Sequence, residues 1–181
     1  MQLELHPDSA RGAVAGLTGS ARYGADGALE LAFRLTGDVG QLRLPPAGPP
    51  ARADGLWHHT CFEAFIADPH SRGYVELNFA PSGTFAVYGF RGYRDGGVAL
   101  PLRQEPVATW RRTDGELALE ARFRMDALPG PPGPRPPVAV QVALAAVVEA
   151  GAGGLAYWAL RHPPGKPDFH HPDGFVLKVE P

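Results

Sequence analysis

Apolar and polar residues alternate along much of this chain with the period of a strand rather than of a helix. From Ala28 to Leu35, Leu29, Leu31, Phe33 and Leu35 fall on one side and Ala28, Glu30, Ala32 and Arg34 on the other, after an Asp26-Gly27 turn signal. Glu116 to Arg124 repeats the pattern, with Leu117, Leu119, Ala121 and Phe123 inward. Tyr74 to Phe79 sets Tyr74, Glu76 and Asn78 on one face and Val75, Leu77 and Phe79 on the other. The first of those faces offers hydrogen-bonding groups beside an aromatic ring, which suits a sheet that meets a ligand.

Further strands are predicted over Gln2 to Leu5, Leu56 to Ile66, Thr84 to Phe90, Leu155 to Leu160 and Phe175 to Val179. Val138 to Glu149 holds helix-favouring alanines, but Val138, Val140, Val142, Leu144 and Val148 at even spacing predict a strand there too. Ala10 to Tyr23 reads as irregular chain or one weak strand. Turns are expected at Asp68 to Gly73, Pro81 to Gly83, Arg91 to Gly97 and Gly151 to Gly154, and a loop at Pro45 to Pro50. Leu128 to Pro137 reads as an extended connector. It is no domain boundary, because the stretch from Val138 to Pro181 is too short to bury a core alone. Many short strands with turns between them imply an all-β antiparallel sandwich, with residues 1–181 as a single domain.

Composition narrows the possibilities. The chain has 181 residues, of which 20% are charged, and a formal net charge of −2, so nothing attracts it to phosphate backbones or to anionic lipid. Nucleic acid and membrane are therefore not expected partners. One cysteine, Cys61, allows no intramolecular disulfide. The N-terminus carries no secretory pattern, and a cytoplasmic location is expected.

The candidate chemistry lies in three places. Arg161 to Gly174 holds four prolines, which lower the entropy lost on ordering a long loop, so Lys166, Asp168, His170 and His171 can be fixed in position beside His162. Sugars need aromatic faces for their C–H groups and acids, amides or cations for their hydroxyls. Trp57 and Trp158 supply the faces, and His59, Glu63, Glu76, Asn78, Arg91 and Arg94 the polar groups. Two alternatives draw on the same residues. A metal or haem site would use His58 or His59 with His162, His170 or His171. A small hydrolase would use Glu63 with Glu76, or Cys61 with His59. No phosphate-binding glycine loop or dinucleotide fingerprint is present.

The run Leu56 to Ile66, the segment Tyr74 to Gly83 and the ending Tyr157 to His170 resemble the bacterial DOMON-like proteins, which are grouped with carbohydrate-binding modules of family 9 and the wider DOMON superfamily. The resemblance implies a β-sandwich of immunoglobulin or jelly-roll type. By analogy with modules that hold sugar chain ends between tryptophan rings, it implies sugar-binding roles for Trp57, Glu63, Asn78 and Trp158. Other DOMON proteins bind haem through Met and His, and here the methionines are Met1 and Met125. The expectation is a binding protein for a small polar ligand, a saccharide or sugar-like metabolite, with no catalytic residue and no cofactor. A protein partner at an exposed sheet edge is the remaining alternative.

Overall fold

The structure is a computed structural model that describes residues 1–129 and 137–181. Most of the expected connector at Leu128 to Pro137 thus lies outside the described residues. The described residues form thirteen strands: β1 (Gln2–Leu5), β2 (Val14–Tyr23), β3 (Leu29–Gly37), β4 (Ala51–Arg52), β5 (Cys61–Ala67), β6 (Tyr74–Phe79), β7 (Thr84–Gly92), β8 (Asp95–Ala99), β9 (Val107–Arg112), β10 (Glu116–Phe123), β11 (Val140–Glu149), β12 (Leu155–Ala159) and β13 (Leu177–Val179). Only short 3-10 turns accompany them among the described residues, and no helix there is long and apolar enough to cross a membrane.

The strands form one curled sheet in the order β4-β7-β6-β5-β11-β12-β1-β2-β3-β10-β9, with β13 on β11 and β8 on β7. Every pairing is antiparallel except β4 with β7. β1 joins the two halves. Gln2 and Leu3 pair with Thr18 and Leu17 of β2, whereas Glu4 and Leu5 pair with Ala159 and Trp158 of β12. The halves pack on each other through their alternating apolar faces, as Phe33 of β3 stacks on Phe62 of β5 at 5.2 Å and Phe62 on Trp110 of β9 at 5.3 Å. Leu3, Leu17, Leu31 and Phe33 share this core with Leu77, Leu144 and Trp158.

Three expectations from the sequence are corrected by the fold. Ala10 to Tyr23 contains a full strand, β2, which pairs with β3 over most of its length; its small residues hide the alternation, and Gly19 lets Leu144 and Leu3 come close. Arg91 to Gly97 is not a simple turn but the tip of a β7–β8 hairpin. Leu56, Trp57 and His58 are not strand residues. Gly55 adopts φ 71°, His58 N–H donates to Gly55 O at 3.1 Å, and a 3-10 turn over Leu56–His58 precedes β5.

β5 is buried on both faces except at its last residue. Its inward residues Phe62, Ala64 and Ile66 face the core, while Phe65 belongs to a second apolar cluster with Tyr74, Ala143, Ala145 and Ala159. Phe169 and Phe175 of the 161–176 segment close over that second cluster. The proline-rich segment is thus a cover laid on the outer face of the sheet.

Candidate functional site

Register decides which side chains meet on that outer face. Glu63 of β5 lies opposite Asn78 of β6 and Ala145 of β11, and Glu76 lies opposite Phe65 of β5 and Tyr88 of β7. Alternate residues share a face, so Glu63, Asn78, Glu76 and Tyr88 form one patch, and Tyr157 of β12 joins it beside Val147. Alanines at 143, 145 and 159 leave space above the sheet, and the segment that covers them does not fill it.

The result is a cavity of about 550 Å³. Trp57, Tyr88, Phe90, Tyr157 and Phe169 supply ring surface, and His58, Glu63, Glu76, Arg94 and His170 supply polar groups. Trp57 reaches it from the 3-10 turn, 39% exposed, with its ring 5.9 Å from that of Tyr88 in an edge-on arrangement. The Tyr88 hydroxyl donates to Asp54 at 2.7 Å, which anchors the ring.

The two acids are the unusual members. Glu63 is 3% exposed and Glu76 is 4% exposed. The Asn78 amide donates to Glu76 Oε1 at 2.7 Å, but Glu63 Oε1 is buried without a hydrogen-bond partner. Burial, and then the neighbouring Glu76 charge, push the Glu63 carboxyl well above the usual carboxylate range. Glu76 is raised by burial too, against the opposing pull of the Asn78 hydrogen bond and of Arg94. An unpartnered buried oxygen facing a cavity is a place for a ligand group.

The cover is fixed by a polar chain. Arg94 has the left-handed φ of 52°, unusual for a side-chain-bearing residue, and its guanidinium donates to Asp168 Oδ1 at 2.7 Å. Tyr93 donates its hydroxyl to the other Asp168 oxygen, and the His170 amide donates to Asp168 Oδ1 at 3.1 Å. Arg94 and these donors hold the Asp168 carboxyl below its usual range despite partial burial. The His170 ring meets the Tyr74 hydroxyl through Nδ1 at 2.8 Å and sits with Nε2 3.9 Å from Glu76 Oε2. Burial, helped by Arg94, pushes His170 down to about 4, so its ring is neutral near pH 7.

Of the residues expected at a site, Trp57, Glu63, Glu76, Arg94 and His170 line the cavity, while Asn78 and Asp168 support it from behind. Five lie elsewhere. Trp158 is 1% exposed in the core, because neighbours on β12 point to opposite faces and it is Tyr157 that turns outward. His59 swings away past the turn, and its Nδ1 meets Glu149 Oε2 at 2.7 Å beside Arg43. Arg91 pairs with Asp95 at an exposed position, next to a separate hollow. His162 bonds Glu4 O through Nε2 at 2.9 Å, its ring stacked edge-on against His6. Lys166 is exposed outside the cavity.

The alternative chemistries fare differently from the pocket. Cys61 is fully buried with its thiol pushed well up by desolvation, and His59 is engaged with Glu149, so the two form no nucleophilic pair. Among the described residues no three His, Cys, Asp or Glu side chains gather as a metal-ligand set. Met125 lines a hollow that contains no histidine, so the residues present do not fit a Met/His haem site. Tyr88 and Phe90 escaped the sequence reading although they share strand parity with the partners of Glu76. Phe169 carried no sequence signal, because its place depends on how the cover folds back.

No protein-family profile matches the chain, and no curated protein does. Solved structures do. A candidate carbohydrate-binding protein from Bacteroides uniformis is similar with a TM-score of 0.58 at 13% identity, over 84% of this chain and 72% of that one. A family 9 carbohydrate-binding module from Caldicellulosiruptor kristjanssonii, in complex with glucose, aligns with a TM-score of 0.47 at 11% identity, over 98% of this chain and 83% of that one. The same organism's family 9 module with cellotriose aligns with a TM-score of 0.44 at 10% identity, over 84% and 68%. At this identity the first likeness is one of fold.

Proposed function

We propose that the protein binds a small saccharide or sugar-like polyol in the cavity between the outer face of β5, β6 and β7 and the 161–176 cover, without chemical conversion. The observation that carries this reading is the pairing of opposite needs in one space. Ring faces of Trp57, Tyr88, Phe90, Tyr157 and Phe169 suit the apolar C–H faces of a sugar, and the unpartnered Glu63 Oε1 suits one of its hydroxyls. A volume of about 550 Å³ lies within the range of small-molecule sites. We further infer that the curled sheet is a β-sandwich of immunoglobulin or jelly-roll type and that the chain is related to the DOMON-like proteins and family 9 modules.

The test is a thermal-shift screen of mono- and disaccharides on wild type and Trp57→Ala. A ligand that binds only the folded state raises its melting temperature in proportion to occupancy. The reading expects at least one sugar to do so in wild type and to lose the effect in Trp57→Ala. A screen in which no sugar stabilises wild type would reject it.

A further inference from the structure

The charge inventory of the cavity points to a narrower ligand class. Two carboxyl groups, Glu63 and Glu76, sit on its floor, each at least nine-tenths buried. Among the described residues the lining contains one guanidinium, Arg94, and its Nη2 is committed to Asp168 Oδ1 at 2.7 Å. Two histidines also line it: His170, beside Glu76, is held neutral and spends Nδ1 on Tyr74, while His58 stands on the exposed 3-10 turn next to Trp57. Glu63 therefore has no hydrogen-bond donor at Oε1, and burial beside Glu76 favours its protonated form.

A neutral hydroxyl would meet the bare oxygen and leave the carboxyl protonated. An ammonium group offers three donors and a full charge, and it allows a buried carboxyl to ionise beside a second one. The rings add to this, because cations are attracted to aromatic faces, and Trp57 and Tyr88 stand together at the wall. We propose that the cavity selects a hydroxylated ligand bearing one protonated amine, an amino sugar being the simplest case, with the ammonium at Glu63 and Glu76 and the sugar body against the rings. This rests on the saccharide reading and narrows it. Burial makes the Glu63 carboxyl keep its proton to higher pH than an ordinary carboxyl, so amine binding that ionises it releases that proton to solvent; the ammonium keeps its own.

Titration calorimetry of glucosamine, galactosamine and mannosamine, each against its neutral hexose, tests this at about pH 6, below the ordinary range of amines. Running each titration in two buffers of different protonation heat reads proton release directly. The expected result is an amine that binds roughly tenfold or more tighter than its hexose, with proton release in wild type, and loss of both in Glu63→Gln. If that variant fails to fold, proton release by wild type still decides. Equal or tighter binding of the neutral hexoses would overturn the amine proposal and leave the saccharide reading standing. An amine preference without proton release would overturn the assignment to Glu63. If none of the six binds while another neutral sugar stabilises the protein, the amine proposal falls alone; if no sugar of any kind binds, both fall.

Discussion

Replacing Glu63 with Gln should change how stability depends on pH, and burial sets the direction. In the folded chain the Glu63 carboxyl holds its proton well above the ordinary 4.5, through desolvation and the nearby Glu76. In the unfolded chain it ionises normally. Its contribution is therefore fully present below the unfolded value, and it is lost as pH rises from there through the folded value. Within that window one group costs about 1.4 kcal/mol per pH unit, or roughly 3 to 6 °C in melting temperature for a domain of this size. The wild-type curve alone does not isolate the effect, because His170, held down to about 4, contributes with the opposite slope between that value and 6.5. The difference between wild type and Glu63→Gln removes what they share. The amide also has an extra N–H to satisfy, a constant offset of about 1 to 2 kcal/mol against the variant. Denaturant or thermal unfolding from pH 4.5 upward should show the variant less stable at the acid end and gaining steadily on wild type as pH rises. A difference that stays flat across that range would refute the placement of a protonated Glu63 in the cavity wall.

Other substitutions separate the site from the scaffold. His170→Gln should relieve acid sensitivity, because the wild-type ring resists protonation; stability that wild type loses as pH falls from 6.5 towards about 4 should be retained by the variant in acid unfolding curves. Trp57→Ala should leave the melting temperature within a few degrees of wild type, since the ring is 39% exposed, while it abolishes sugar-dependent stabilisation. Trp158→Ala should behave in the opposite way and cost about 3 to 5 kcal/mol in denaturant unfolding, because that ring is 1% exposed in the core. Gly37→Ala should destabilise the β2–β3 pairing by more than about 1 kcal/mol, because Gly37 has φ 145° and an added Cβ would collide with the Ala13 carbonyl oxygen; hydrogen exchange at β2 would report it.

The strands read most cleanly in the sequence are those with one face in the core and the other in water, although β5, β6 and β11, largely buried on both faces, were expected as strands too. β3 and β10 alternate without interruption, and their bounds are close to those expected. β2 was obscured by Gly16 and Gly19; Gly19 lets Leu144 and Leu3 approach, a contact between residues far apart in sequence. β9 stood out poorly because Ala108 and Trp110 are its only inward apolar residues. At the site, the Tyr74-Glu76-Asn78 row was legible because period-two geometry is local. Choosing between Trp158 and Tyr157 was not, since adjacent residues on β12 exchange faces with a one-residue change of register. His59 was misplaced for a similar reason: the left-handed Gly55 starts a turn, and the turn rotates everything before β5 out of strand phase.

The indole N–H resonances of Trp57, Trp110 and Trp158 give the most direct measure of whether the cavity holds a sugar. Trp57 lies at the cavity wall, Trp110 packs on the core from β9, and Trp158 is sealed inside. Titration of saccharides and amino sugars into labelled protein should move the Trp57 signal in a saturable way and leave Trp158 where it is. Saturable binding that shifts Trp110 or Trp158 while Trp57 stays fixed, or no movement with any sugar, would contradict the account.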